Sequence, residues 1–300
     1  MYKKGKIRAE KKSDDNQENS SKSQINWFPG HMAKTRRKIT ENLSLVDAVA
    51  EVVDARIPVS SRNPELSALI AAKPRLIVLN KADMADAAAT RRWCAHFRAA
   101  GYAVMTADCK TGAGVQKCVP LLRELLADKL AAKREKGMKN PTIRMMVVGI
   151  PNVGKSSFIN KLTGGKAKVE DRPGVTRNHQ WLAVEGGVQL LDTPGVLWPK
   201  FEDETVAKHL AFTGAIKDQI LDAEELACLL LEVLYENYRD RLSERYKLPD
   251  DMPADGYALL QAVGRKRGML VRGGQVDTER AAIMLLDEYR GGKLGALTLE

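Results

Sequence analysis

The chain has 300 residues, 44% of them hydrophobic and 29% charged, enough for one large domain or two ordinary ones, each with a core of its own. Its 48 Lys and Arg against 38 Asp and Glu leave a formal charge of +10, which suggests a polyanionic partner. The sequence has no apolar run near the roughly 18 residues that a spanning helix needs, and its four cysteines (Cys94, Cys109, Cys118, Cys228) stand alone, which argues against a zinc ribbon or a disulfide framework. No hydrophobic leader opens the chain, and the lone cysteines suit a reducing compartment with free thiols.

Residues 1–24 are basic, mixed with acidic and polar residues, and are expected to form a disordered arm. From residue 25, "INWFPGHMAKTRRKITENLSL" gives aromatic residues, a Pro-Gly turn and a basic helix with Lys34, Arg36, Arg37 and Lys38. Next come "DAVAEVVDAR", "RLIVLN", "YAVMTA" and "IRMMVVGI", near-continuous apolar runs of the kind that form parallel strands covered on both faces. The stretches "LSALIAA", "TRRWCAHFRAA" and "GVQKCVPLLRELLADKLAAKREKG" supply the helices between them. "HQWLAVEGGVQLLDTPG" adds a hairpin and with it an antiparallel edge strand. The expected fold is therefore α/β, a doubly wound, six-stranded, mainly parallel sheet over 25–203. From 204 to 300 the strand signals stop and helical spacing takes over, as in Leu226, Leu230, Val233 and Leu234, predicting an all-helical second domain.

Gly149-Ile150-Pro151-Asn152-Val153-Gly154-Lys155-Ser156 fits G-x-x-x-x-G-K-[ST] between a strand and a helix, the context a phosphate loop requires. Backbone amides through Val153, Gly154 and Ser157 can wrap phosphates, Lys155 can neutralise the β and γ oxygens, and Ser156 can ligate Mg²⁺. Asp192-Thr193-Pro194-Gly195 ends a later strand, where Asp192 can hold Mg²⁺ and the Gly195 amide can sense a γ-phosphate. Between them, Thr176 in "RPGVTRN" can complete the Mg²⁺ shell in the triphosphate state and let go on hydrolysis; the bland alternative is a plain turn. Asn80-Lys81-Ala82-Asp83 ends another strand, with Asp83 able to accept from guanine N1–H and N2–H and Lys81 able to lie over the base. Thr106, Ala107 and Asp108, in "MTADCKTG", form a second base loop in which the Ala107 amide is expected to face guanine O6.

The base loops precede the phosphate loop, the reverse of the usual GTPase order. That order resembles the circularly permuted GTPases, and "WFPGHMAKTRR", "VVDARIPVSSRNPEL", "GIPNVGKSSFINKL", "PGVTR" and "LLDTPGVLWPKFED" resemble the ribosome biogenesis GTPase A family over about 25–300. The resemblance implies a cytoplasmic GTPase that uses GTP/GDP and Mg²⁺, acts in maturation of the large ribosomal subunit, and contacts rRNA through its helical domain. A monomer is expected. Permutation leaves the D-x-x-G stretch running straight into the helical domain, so nucleotide state should pass to residues from about 204 onward.

Where Ras-like enzymes carry a water-positioning Gln, this chain has Val196 and Leu197, so another group must help. The resemblance implies His31, brought into the site on the ribosome; the residues alone equally allow a helix cap or packing on Trp27. Resemblance to other loops of the form GxPNVGKS implies that Asn152 helps to hold K⁺, against an ordinary turn Asn. The clusters "KTRRK" and "GRKRG" with Arg272 fit rRNA phosphates or a solvated face. Two rival readings are a small-subunit assembly GTPase and an RNA-binding scaffold that uses nucleotide only for stability.

Overall fold

A computed structural model describes residues 30–165, 181–193, 195–197, 203–216, 222–249 and 251–300, with side chains from residue 36 onward. The chain runs through α1 (Gly30–Leu43), β1 (Ala48–Asp54), α2 (Pro64–Leu69), β2 (Arg75–Asn80), α3 (Ala87–Ala99), β3 (Ala103–Ala107), α4 (Cys118–Leu125), α5 (Ala127–Glu135), β4 (Ile143–Val148) and α6 (Lys155–Leu162). The hairpin β5 (Trp181–Val184) and β6 (Val188–Asp192) follows, then α7 (Glu204–Phe212), α8 (Ala223–Tyr246), α9 (Gly256–Lys266) and α10 (Thr278–Arg290). The expected N-terminal arm lies outside the described residues.

The six strands form one sheet in the order β3-β2-β1-β4-β6-β5. All neighbours pair in parallel except β5, which runs antiparallel to β6 at the edge, as the Glu-Gly-Gly turn predicts. β1 is buried at every position, yet carries Glu51 at its centre. Arg62 neutralises that carboxylate through two hydrogen bonds of 3.1 and 3.0 Å, and Arg62 and Arg75 both lie over the Tyr102 ring. A charge within an otherwise apolar strand is tolerated because it is paired where it is buried.

The long helix expected over 114–137 is broken into α4 and α5 at Leu126, whose ψ of 20° leaves the helical range. α8 likewise kinks at Tyr238 (φ −142°, ψ 38°), whose hydroxyl bonds both the amide and the carbonyl of Thr298. Tertiary hydrogen bonding at Tyr238 outweighs the helical propensity of the sequence around it. The boundary expected at 204 falls at the start of α7, whose neighbourhood divides between two cores. Leu210, Ala215 and Ile216 pack with the sheet, while Ala211 and Phe212 pack with α8, α9 and α10. The helical core proper therefore begins with α8, and α7 acts as the joint.

Candidate functional site

Parallel pairing brings the C-terminal ends of β3, β2, β1, β4 and β6 to one edge of the sheet. Chain crossovers reverse direction between β1 and β4, the place where doubly wound sheets form a ligand crevice. The phosphate loop, 149–156, leaves β4 there, with the base loops to one side and D-x-x-G to the other.

The loop turns into α6 at Gly154, with φ at 97°, and a Cβ on that residue would collide with the Asn80 amide nitrogen. Only glycine meets both demands. α6 starts without a side-chain cap, whereas Asn63, Asp86, Asp203, Asp222, Asp255 and Asp277 cap α2, α3, α7, α8, α9 and α10. Its first-turn amides, with Ser156 and Ser157 exposed beside them, are thus left for an anion. Lys155 is 8% exposed and donates to the Ile150 carbonyl at 2.7 Å. Burial draws its ammonium down to about 8, with Asp192 pulling the other way. Partial desolvation raises the Asp192 carboxyl, and Lys155 opposes that rise.

D-x-x-G closes against this loop. Thr193 donates its hydroxyl to Val147 O at 2.7 Å, and the Val196 amide donates to Gly149 O at 3.3 Å. A Cβ on Gly195 would lie 2.8 Å from Lys155 Nζ and from the Pro151 nitrogen, so glycine is what lets the two motifs touch. Val196 and Leu197 are buried in apolar clusters, Val196 with Ile39 of α1, and neither offers a polar group to a water. α1, the helix that contains His31, is thereby anchored beside D-x-x-G. The His31 side chain and the whole Thr176 loop lie outside the described residues.

Asn80 is the hub of the base side. It is 3% exposed, donates from Nδ2 to Val153 O at 2.6 Å, and accepts from the Cys109 amide at 3.0 Å. One side chain therefore ties both base loops to the phosphate loop, and its polar atoms face protein. Asp83 is exposed at the end of the same turn. The second base loop lies directly against the first. Ala107 closes β3 opposite Asn80, is 2% exposed, and accepts from the Ala82 amide at 3.2 Å, while Thr106 lies within the strand. Asp108 spends its carboxylate on its own turn, accepting from the amides of Lys110 and Thr111 and from the Thr111 hydroxyl. The loop residue that sequence reasoning missed is Cys109; the turn signal Gly112-x-Gly114 just after it marks where the strand has already ended.

Also missed was a buried ionic joint behind Lys81. Arg56, 1% exposed, holds Asp54 through Nε and Nη2 at 2.9 and 2.8 Å, and Lys81 Nζ lies 2.9 Å from the same carboxylate. Burial alone would raise the Asp54 carboxyl, but the Arg56 and Lys81 charges hold it well below the usual range. Burial lowers the Lys81 ammonium despite Asp54. On the phosphate side, Asn152 (φ 60°) donates from Nδ2 to Gly214 O at 2.5 Å, which leaves its Oδ1 as the atom available to a cation.

A family model described as "50S ribosome-binding GTPase" matches residues 144–250. The chain is 48% identical to "Ribosome biogenesis GTPase A" of Bacillus cereus over 92% of its own length and 93% of that protein's. It is 33% identical to the protein of the same name from Thermotoga maritima, over 92% and 94%. Among solved structures it is similar to a GNP-bound YlqF from T. maritima, with a TM-score of 0.61 and 28% identity over 89% of this chain and 97% of that one. A GDP-bound YlqF gives 0.62 and 28%, over 88% and 98%. The motifs, the sheet that carries them and these similarities together place the chain in the ribosome biogenesis GTPase A family.

Proposed function

We propose that this GTPase binds the maturing large ribosomal subunit in the cytoplasm and hydrolyses GTP to time a late assembly step and its own release. The observation that carries the reading is the contact of Gly195 with Lys155 at a sheet edge where Asn80 keys the base loops to the phosphate loop. A γ-phosphate entering there meets Lys155 and the first-turn amides of α6 on one side and the Gly195 amide on the other. Asp83 selects guanine, and the buried Lys155, drawn down to about 8, is held charged by the phosphates it neutralises.

Ser156, Asp192 and Thr176 are hard oxygen donors suited to Mg²⁺, which when bound would neutralise charge on the β and γ oxygens. Asn152 Oδ1 is the atom that would serve K⁺. With Val196 and Leu197 turned into the core, hydrolysis is slow until His31, carried by α1 beside D-x-x-G, is placed by the ribosomal partner. Arg265, Lys266 and Arg272 are exposed near the end of α9 and fit rRNA phosphates, whereas Arg267 is committed to Glu288 at 3.2 Å and Arg36 to Glu65 at 3.2 Å. The family model's description, "50S ribosome-binding GTPase", favours the large subunit over the small.

Single-turnover GTP hydrolysis, measured alone and with purified precursors of each subunit, tests this. Acceleration by large-subunit precursors is expected. Acceleration by small-subunit precursors, or none by either, would contradict it.

A further inference from the structure

The stretch Asp54-Ala55-Arg56-Ile57-Pro58-Val59-Ser60-Ser61 touches no nucleotide group in the reading above except through the pair behind Lys81, and it is also where the helical domain is seated. Leu299 donates its amide to Arg56 O at 2.9 Å. Glu300 accepts from the amides of Val59 and Ser60, at 2.6 and 3.0 Å, and from the Ser60 hydroxyl. Arg56 itself reaches α10, donating from Nη1 to Tyr289 O at 3.2 Å with its guanidinium 5.2 Å from the Tyr289 ring centre. The segment that follows α10 also meets the guanine loop, because the Leu297 amide donates to Met84 O at 2.9 Å and Thr298 Oγ1 accepts from the Asp86 amide at 3.0 Å.

One guanidinium thus has two faces. Toward the nucleotide it fixes Asp54, and Asp54 fixes Lys81, whose backbone is held at φ 60°, in the left-handed region. Toward the helical domain it fixes the end of α10. Arg56 is buried among these partners, so none of the three charges can move without leaving another unpaired in a low dielectric. We infer that Arg56 is a positioning residue that makes the guanine loop and the helical domain one mechanical unit, so that base binding and domain docking stabilise each other.

Reciprocity is a thermodynamic requirement of such coupling. Guanine on Lys81 and Asp83 orders the loop that Leu297 and Arg56 grip, and a docked helical domain presents Lys81 ready to lie along the base. This inference rests on guanine binding as read above, and deepens it.

Hydrogen exchange of the full chain with and without GDP tests it. In the unmodified protein GDP should slow exchange at 80–84 and also, by about tenfold, at 289–299, well beyond the nucleotide. Arg56→Lys, which keeps the charge but not the fork, should weaken GDP binding about tenfold and abolish the distant protection. Arg62→Lys loosens a comparable pair on Glu51 that touches neither Lys81 nor α10, and should leave GDP affinity unchanged. Protection confined to 80–84 in the unmodified protein would overturn the coupling, and that measurement stands even if Arg56→Lys fails to fold. Loss of GDP affinity as large in Arg62→Lys as in Arg56→Lys would also overturn it. Absence of any GDP protection at 80–84 would overturn the guanine-binding reading, and the coupling with it.

Discussion

On the guanine side of the crevice, Lys81 reaches the helical domain through two fully buried side chains, Asp54 and Arg56, with the 297–300 segment laid alongside. On the phosphate side, Asn152 donates a hydrogen bond to Gly214 O, just past the end of α7. Arg290 of α10 holds that same end, donating to the carbonyls of Ala211 and Phe212. A buried, paired network is costly to break, whereas a neutral hydrogen bond from an exposed side chain contributes about 1 kcal/mol. If the two sides differ in this way, the base side should act as the fixed mount and the phosphate side should be the one that responds to GTP and GDP. On that proposal nucleotide state would pass from D-x-x-G to the helical region through α7, whose C-terminal turn touches the phosphate loop.

Substitutions can break this contrast. Asp83→Asn removes the carboxylate proposed to pair with guanine N1–H and N2–H, and should weaken GDP binding by roughly 100-fold or more while leaving the folded domain intact; equilibrium titration with a fluorescent GDP checks it. His31→Ala should spare GDP binding and reduce ribosome-stimulated turnover by about 100-fold. Unchanged stimulated turnover would remove His31 from the chemistry.

Asn80→Ala strips a buried strut, leaving Val153 O and the Cys109 amide unpaired, and should cost about 2–3 kcal/mol of stability in denaturant melts. Because Asn80 joins both halves, GDP affinity should fall with it.

Proton linkage gives a smaller effect with a definite sign. Burial lowers Lys155 to about 8 in the free protein, and bound phosphates would raise it again. Below that value the ammonium is already present and GDP affinity is flat. Above it each binding event takes up a proton, so affinity should fall by up to about tenfold per pH unit. Calorimetry at pH 9 in buffers of different ionisation enthalpy would detect the uptake, and a pH-independent affinity would exclude it. The smallest effect belongs to Asn152→Ala, about 1 kcal/mol on the link to Gly214. If Asn152 also serves K⁺, the variant's turnover should be the same in KCl and NaCl while the unmodified protein is faster in KCl.

Much of this was legible in the sequence, and the part that was not has a common cause. Strands β1 to β4 are apolar runs of the length of a buried strand, and the phosphate loop, D-x-x-G and Asn-Lys-x-Asp are local patterns. Arg56 and Glu51 were illegible because a charge beside an apolar run looks like a surface residue until its partner is known, and the partner carbonyl of Arg56, on Tyr289, lies in another domain. The bracing role of Asn80 was illegible for a related reason, since its partners Val153 and Cys109 lie in loops far from it in the chain. The kink at Tyr238 follows from a tertiary hydrogen bond to Thr298 that no helical periodicity encodes.

Whether nucleotide state governs attachment to a large-subunit precursor is tested by co-sedimentation of the protein with purified large-subunit precursors, in GDP and in a non-hydrolysable GTP analogue. Retention with the analogue and release with GDP are expected. Equal retention in both nucleotides, or retention only on small-subunit particles, would contradict that expectation.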